Sequence, residues 1–302
     1  MANHNCRVIE NLVFEVPPQG IVSFLGRSGA GKTTLLRMIA GLERRFDGHI
    51  LVGDKLVTKP SRDIQIVFQD YRIMPWKTVY ENIEFALQQQ NGPMDRAQIE
   101  KWIAIVGLQD KRNEWPKNLS GGEVARVAFA RAFVSPPQIL LLDEPFLNLD
   151  LITKFDLQNE LIRDLKTQKA SVVLVSHSID DAVFLSDTIH LLSDRPMKIE
   201  KTFAIDVSRP RQRGDRELSE ISAEIARYLA ARRFTQSQAV TPLGHHSDVF
   251  NSTVVICPAR VSMLPLDQAE DSGKDKGVCD GIADCGTCAG GQRPRGGLPR
   301  LV

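Results

Sequence analysis

Nine residues, Gly26-Arg27-Ser28-Gly29-Ala30-Gly31-Lys32-Thr33-Thr34, have the types and spacing needed to hold a phosphate. They match the pattern G-x-x-x-x-G-K-[ST], in which a glycine-rich bend aims several backbone N–H groups at one anion. Gly26, Gly29 and Gly31 let the backbone come close to a phosphate with no Cβ in the way. Lys32 can reach β- and γ-phosphates, and the Thr33 hydroxyl can ligate Mg²⁺. A flexible turn that merely ends in Lys-Thr is the competing reading. Its neighbours argue otherwise: Ile21 to Leu25 is an apolar run of strand length, and Leu35, Ile39 and Leu42 follow at helical spacing. A helix starting there adds the positive end of its dipole to the same concavity.

Further chemistry-bearing residues follow other apolar runs. Asp143 and Glu144 come directly after Ile139-Leu140-Leu141-Leu142. Two adjacent carboxylates at a strand end fit a metal-dependent phosphate site, where one holds Mg²⁺ and the other accepts a proton from an attacking water. His177 follows the run Ser171 to Val175 and could donate a hydrogen bond to a γ-phosphate oxygen. Ser120-x-x-Glu123 is a helix capping box, which explains the Ser and the Glu. It does not explain Gly121 and Gly122 between them, poor helix starters unless an anion must come near. Two phosphate-facing helix ends in one chain suggest a nucleotide sandwiched between two copies.

The elements that would position these residues alternate between strand and helix. Continuous apolar runs are those of parallel strands covered on both faces, joined by right-handed crossovers. Ligands then collect at the carboxyl ends of the strands, where the glycine loop, Asp143-Glu144 and His177 all fall. Residues 7 to 25 read as two short strands around Pro17-Pro18-Gln19-Gly20, and Gly41 ends the first helix. Asp47-Gly48 and Gly53-Asp54 read as turns between short strands. Ile64 to Phe68 is another strand, closed by Gln69. From about Tyr71 to Val134 the pattern is helical: Thr78-x-x-Glu81 opens a helix through Gln90, and a second turns Ile99, Trp102, Ile103 and Val106 inward.

The 302 residues carry a formal net charge of +1, with 42% hydrophobic and 25% charged, an ordinary globular composition with no basic field for nucleic acid. No apolar stretch approaches the roughly 18 residues that span a bilayer, and Met1 to Cys6 lacks the features of a secretion signal. One cysteine in the first 250 residues excludes a disulfide framework there and points to the cytosol. Beyond Arg233, Gly, Pro, Ser and charged residues suggest a mobile extension. Its Cys279, Cys285 and Cys288 have the spacing C-x5-C-x2-C, with Cys257, His245 and His246 upstream; this is one C-x2-C and not the two of familiar metal sites, so an unstructured cysteine-containing tail is expected over a zinc or iron–sulfur site.

With GRSGAGKTT, VFQD, LSGGE, ILLLDEP, LNLD and SHSIDDA in this order, residues Arg7 to Leu229 resemble the nucleotide-binding subunit of ATP-binding cassette transporters. The resemblance implies a P-loop, RecA-like α/β core with a mainly parallel sheet, an antiparallel β subdomain and an α-helical insertion. It implies an ATPase domain over 1–233, the insertion at about 71–134, and a tail over 234–302. Ser28, Lys32 and the amides of Gly29 to Thr34 would hold ATP phosphates, and Thr33, Gln69 and Asp143 would hold Mg²⁺. Glu144 would be the catalytic base, His177 the switch histidine and Gln69 the coupling glutamine. Ser120, Gly121 and Gly122 would complete the opposite subunit's site, with Asp150 communicating across the dimer.

The implied partners are transmembrane permease subunits, a second ATPase subunit and, indirectly, an extracytoplasmic solute-binding protein, at the cytoplasmic face of the membrane. Met74 to Val79, the DEPFLNLD stretch, Arg195-Pro196 and Ser208 to Arg211 look like the nitrate, sulfonate and taurine importer branch. Glu123 stands where the family's signature commonly has Gln or Met, and Asn148 precedes Leu149-Asp150 in place of a small residue. The family's adenine-stacking aromatic belongs just before Arg7, where His4 is the nearest planar ring. A soluble cassette ATPase is the alternative, but those proteins usually carry two cassettes or a long coiled coil. A GTPase or small kinase would leave LSGGE and His177 without a task.

Overall fold

The apolar runs lie where a sheet covered on both faces requires them. The computed structural model describes residues 8–88, 95–135, 137–147, 149–238, 252–257 and 260–265. In order these form β1 (Ile21–Leu25), α1 (Lys32–Ile39), β2 (Leu51–Val52), β3 (Lys55–Leu56), β4 (Ile64–Val67), α2 (Val79–Gln88) and α3 (Arg96–Ile105). They continue with α4 (Gly121–Phe133), β5 (Ile139–Asp143), α5 (Leu151–Gln168), β6 (Ser171–Ser176), α6 (Ile179–Leu185), β7 (Thr188–Leu192), β8 (Ile199–Ala204) and α7 (Arg216–Gln238). A hairpin, β9 (Ser252–Cys257) and β10 (Arg260–Pro265), comes last. The chain divides after Leu266 into two units, and every described residue belongs to the first.

The main sheet has the order β4-β5-β6-β1-β7-β8, parallel except for β8. Every residue of β1 and β5 is buried. Alternation divides their side chains between two cores: Leu140 and Leu142 join one cluster, Ile139 and Leu141 the other. Each such side chain contributes about 1.5–3 kcal/mol by leaving water. Register then sets the edge. Leu25 lies opposite Ser176, Asp143 opposite Val175, and Val67 opposite Leu142. The residues that follow these strands therefore emerge side by side.

Between Tyr71 and Val134 the chain forms helices α2, α3 and α4. The Thr78 N–H donates to Glu81 at 2.7 Å and the Glu81 N–H to the Thr78 hydroxyl at 3.3 Å, a complete capping box for α2. Trp102 of α3 stacks on Phe133 of α4 with ring centres 5.3 Å apart. Buried Asn82 accepts from the Met74 N–H and donates to the Met74, Lys77 and Thr78 carbonyls, fixing the connection into α2.

Some expectations differ from the structure. Leu12, Phe14 and Val16 are buried in alternation, yet that segment forms no strand; its period of two comes from packing on the second cluster. Helix α2 is described to Gln88, and the Asn91-Gly92-Pro93 stop lies outside the described residues. Helix α7 passes the expected end of the periodic region at Arg233, and β9–β10 falls in the expected extension. Cys279, Cys285, Cys288, His245, His246, His4 and Asn148 lie outside the described residues. Among the described residues, no helix is long and apolar enough to cross a membrane.

His190 of β7 gives this core a pH dependence. It is buried beside Phe24, its Nδ1 lies 2.8 Å from the Thr202 hydroxyl, and burial lowers its pKa to about 4 from the usual 6.5. The unfolded chain therefore binds the extra proton first, and stability present above pH 6.5 is lost as pH falls toward 4. The loss reaches about 3 kcal/mol at full protonation. Urea unfolding at a series of pH values should follow that slope, and His190→Gln should flatten it.

Candidate active site

The glycine loop is the turn from β1 into α1. Gly31 caps the helix with φ 111°, and a Cβ there would come within 2.6 Å of Val8. Any other residue would be strained twice over. Lys32 opens α1 and is only 5% exposed; its ammonium donates to the carbonyls of Gly26 at 2.8 Å and Arg27 at 3.0 Å. Ser28 and Gly29 form the exposed lip, Ala30 is buried, and Thr33 and Thr34 follow on the first turn of the helix.

The two carboxylates leave β5 in different environments. Asp143 is buried; burial raises its pKa, opposed by a hydrogen bond from the Thr33 hydroxyl, while the charges of Glu144 and Asp70 raise it further. Glu144 adopts φ 48°, a left-handed conformation rare for a residue with a Cβ, and its N–H donates to the Val175 carbonyl at 2.9 Å. Strain of this kind costs roughly 1–3 kcal/mol and persists where the surroundings impose it. Here they do. One carboxylate oxygen lies 3.5 Å from the Lys32 ammonium, and the other is 3.0 Å from His177 Nδ1.

His177 is placed by the start of α6, where the Asp181 N–H donates to the Ser178 hydroxyl. The far end of that helix is held by Arg211, whose guanidinium donates to the carbonyls of Val183, Phe184 and Ser186 at 2.8–3.0 Å. Burial lowers the Arg211 pKa to about 10. Gln69 lies exposed, two residues beyond β4 on the same sheet edge.

The structure thus brings Lys32, Thr33, Asp143, Glu144 and His177 together. Ser120, Gly121, Gly122 and Asp150 form a second group. Ser120 caps α4 by accepting from the Glu123 N–H at 3.3 Å, and its own N–H donates to Glu123 Oε2 at 2.8 Å. Lys111 donates to the other Glu123 oxygen at 2.7 Å; this bond above all keeps the Glu123 pKa low. The unusual carboxylate is therefore spent on the cap and on Lys111. Asp150 caps α5 by accepting from the N–H groups of Ile152 and Thr153. A Cβ on Gly121 would meet nothing within 4 Å, and one on Gly122 only ordinary contacts with Thr153 and Asp150. The chain's own packing does not demand either glycine.

Residues that sequence reasoning missed brace this edge. Arg195 donates to the Gly29 carbonyl at 2.7 Å. Asp194 stands 3.7 Å from both Arg27 and Arg232 of α7. Tyr71 and Arg131 are a further pair, taken up below. Arg195-Pro196 is visible in the sequence as a dipeptide, but nothing in its spacing places it against the glycine loop.

A parallel sheet with a glycine loop, a lysine and paired carboxylates at its carboxyl edge defines a phosphate-loop nucleotide hydrolase. Residues 9–147 match the family model described as ABC transporter. The chain is 41% identical over 225 residues to an uncharacterized ABC transporter ATP-binding protein of Methanocaldococcus jannaschii, covering 74% of this chain and 84% of that protein. It is 42% identical over 223 residues to an aliphatic sulfonates import ATP-binding protein of Rhodopseudomonas palustris, covering 74% and 78%. A Bacillus cereus protein of the same description is 37% identical over 219 residues, covering 72% and 87%. Among solved structures, a dimeric ATP-binding cassette in a post-hydrolysis state with ADP and Pi aligns with TM-score 0.63 and 27% identity, over 69% of this chain and 95% of that one. The chain belongs to the ABC transporter ATP-binding family; it binds ATP and is an ATPase.

The Glu123 arrangement is testable. Glu123→Ala removes the reciprocal cap and frees Lys111, and should cost about 1 kcal/mol of stability in chemical unfolding.

Proposed function

We propose that this chain is the ATP-hydrolysing subunit of an importer at the cytoplasmic face of the cell membrane. It would pair with a second ATPase subunit, drive separate transmembrane permease subunits, and be served indirectly by an extracytoplasmic solute-binding protein. The observation that carries the reading is Glu144, held in a strained backbone turn between Lys32 and His177. The import direction and a small sulfonate-like solute are supported by the likeness to aliphatic sulfonates import ATP-binding proteins. Residues 1–233 would be the ATPase domain, with 71–134 as the insertion facing the permease and 234–302 as a tail.

Hydrolysis needs a base beside the γ-phosphate. A water attacks the γ-phosphorus, its proton passes to Glu144, the bond to ADP breaks, and phosphate leaves. Lys32 lies 3.5 Å from a Glu144 carboxylate oxygen and donates to two loop carbonyls. A triphosphate competes for the same ammonium, so nucleotide arrival releases Glu144 to act as base. His177 holds the other carboxylate oxygen in line and offers a donor to the γ-phosphate. The Thr33 hydroxyl and Asp143 carboxylate, already hydrogen-bonded, are the hard oxygen pair that Mg²⁺ prefers, with Gln69 as a further oxygen donor. When bound, the ion would neutralise charge on the phosphate oxygens. Ser120, Gly121 and Gly122 would close over the partner's ATP, with Asp150 beside them reporting across the interface.

Glu144→Gln should keep ATP binding, accumulate a dimer in size-exclusion chromatography, and lower phosphate release by at least about 100-fold. Full turnover in that variant contradicts the role of Glu144. Gly122→Val should leave the melting temperature and single-subunit ATP binding intact but abolish ATP-driven dimer formation. Dimers forming normally would remove the sandwich.

A further inference from the structure

The signature helix and the catalytic carboxylate are joined in this chain by a path that runs through Arg131 and Tyr71. Arg131 lies near the end of α4, the helix that begins at Ser120-Gly121-Gly122. Its guanidinium donates to the carbonyl of Arg72 at 2.8 Å and to that of Tyr71 at 2.9 Å. Both of those residues have left-handed backbones, φ 56° at Tyr71 and 43° at Arg72. Two successive strained residues without glycine need an external hold, and two charge-assisted hydrogen bonds from one planar fork provide it. The turn is tightened locally: the Tyr71 N–H donates to the Phe68 carbonyl, and the Arg72 guanidinium lies over the Phe68 ring at 3.9 Å.

This strained turn begins two residues after Gln69 and points Tyr71 inward. The buried Tyr71 hydroxyl donates to the carbonyl of Pro145 at 3.2 Å, and Pro145 directly follows Glu144. A rotation of α4 that moved Arg131 would therefore pull on the two carbonyls. The pull would pass through one ring to the peptide next to the base.

We infer that Arg131 and Tyr71 are positioning residues that set the Glu144 carboxylate according to the orientation of the signature helix. The inference rests on Glu144 being the base. Their hydrogen bonds go to the carbonyls of Tyr71, Arg72 and Pro145 and not to the glycine loop, so their removal should alter turnover and leave affinity alone.

The test is steady-state ATP hydrolysis by the full chain with Tyr71→Phe, Arg131→Lys and the double variant, alongside Glu144→Gln. Tyr71→Phe deletes only the hydroxyl and its bond to Pro145; Arg131→Lys keeps the charge but loses the planar fork whose two nitrogens each meet one carbonyl. Each should lower kcat about 3- to 10-fold, the worth of one such hydrogen bond, with KM for ATP within about twofold. The double variant should be no slower than the slower single one, because both cut the same path. Unchanged kcat in Tyr71→Phe, a loss carried by KM, or multiplying effects in the double variant would each overturn the inference while Glu144→Gln remains inactive. Turnover surviving in Glu144→Gln would instead remove the base itself, and this inference with it.

Discussion

The contact on which the site depends is the one between Lys32 and Glu144. It joins the first and fifth strands of the chain across β6, and it places the only buried ammonium of the glycine loop against the carboxylate at the end of β5. Both side chains are largely withdrawn from solvent, and their pairing offsets part of the cost of burying each. Lys32 also closes the loop on itself through two carbonyls, and Glu144 accepts a backbone turn it would otherwise avoid. The same ammonium and the same strained turn are the groups that a phosphate would meet.

The sheet is what holds these groups in place. Parallel pairing with full burial on both faces leaves the strands no freedom to slip, because a shift of one residue would turn each apolar set to the wrong cluster. Leu25, Val67, Asp143 and Ser176 are accordingly fixed relative to one another to within the register of the ladder. The helical insertion is not part of this ladder. It meets the sheet through side chains, which is why the Arg131 and Tyr71 contacts matter: they carry position between two parts that the backbone connects only by turns.

Most of the nucleotide edge was legible from residue type and spacing. Ile21 to Leu25, Ile139 to Leu142 and Ser171 to Val175 announce buried strands, and the glycine loop, Asp143-Glu144 and His177 follow them immediately. A short-range pattern sufficed because each group sits within two residues of a strand end. The capping boxes at Thr78 and Ser120 were equally local. What escaped were contacts between residues far apart in the chain. Arg211 on the carbonyls of α6, Arg195 on Gly29 and Tyr71 on Pro145 have no periodicity to betray them. Backbone strain is similarly silent in sequence, since Tyr71, Arg72 and Glu144 are not the residues one associates with positive φ. The segment at Leu12 to Val16 errs in the opposite sense: its alternation is real, but a packed extended chain produces the same signal as a paired strand.

Asp194 has a practical bearing on where this chain can be cut. It divides its charge between Arg27, in the glycine loop, and Arg232, close to the carboxyl end of α7, whose other nitrogen meets Glu200 at 3.1 Å and the Leu192 carbonyl at 2.9 Å. Helix α7 is consequently linked to the glycine loop through one shared carboxylate. Anyone seeking the shortest working catalytic fragment should place the new terminus beyond Arg232, so that its contacts with Asp194, Glu200 and Leu192 are kept.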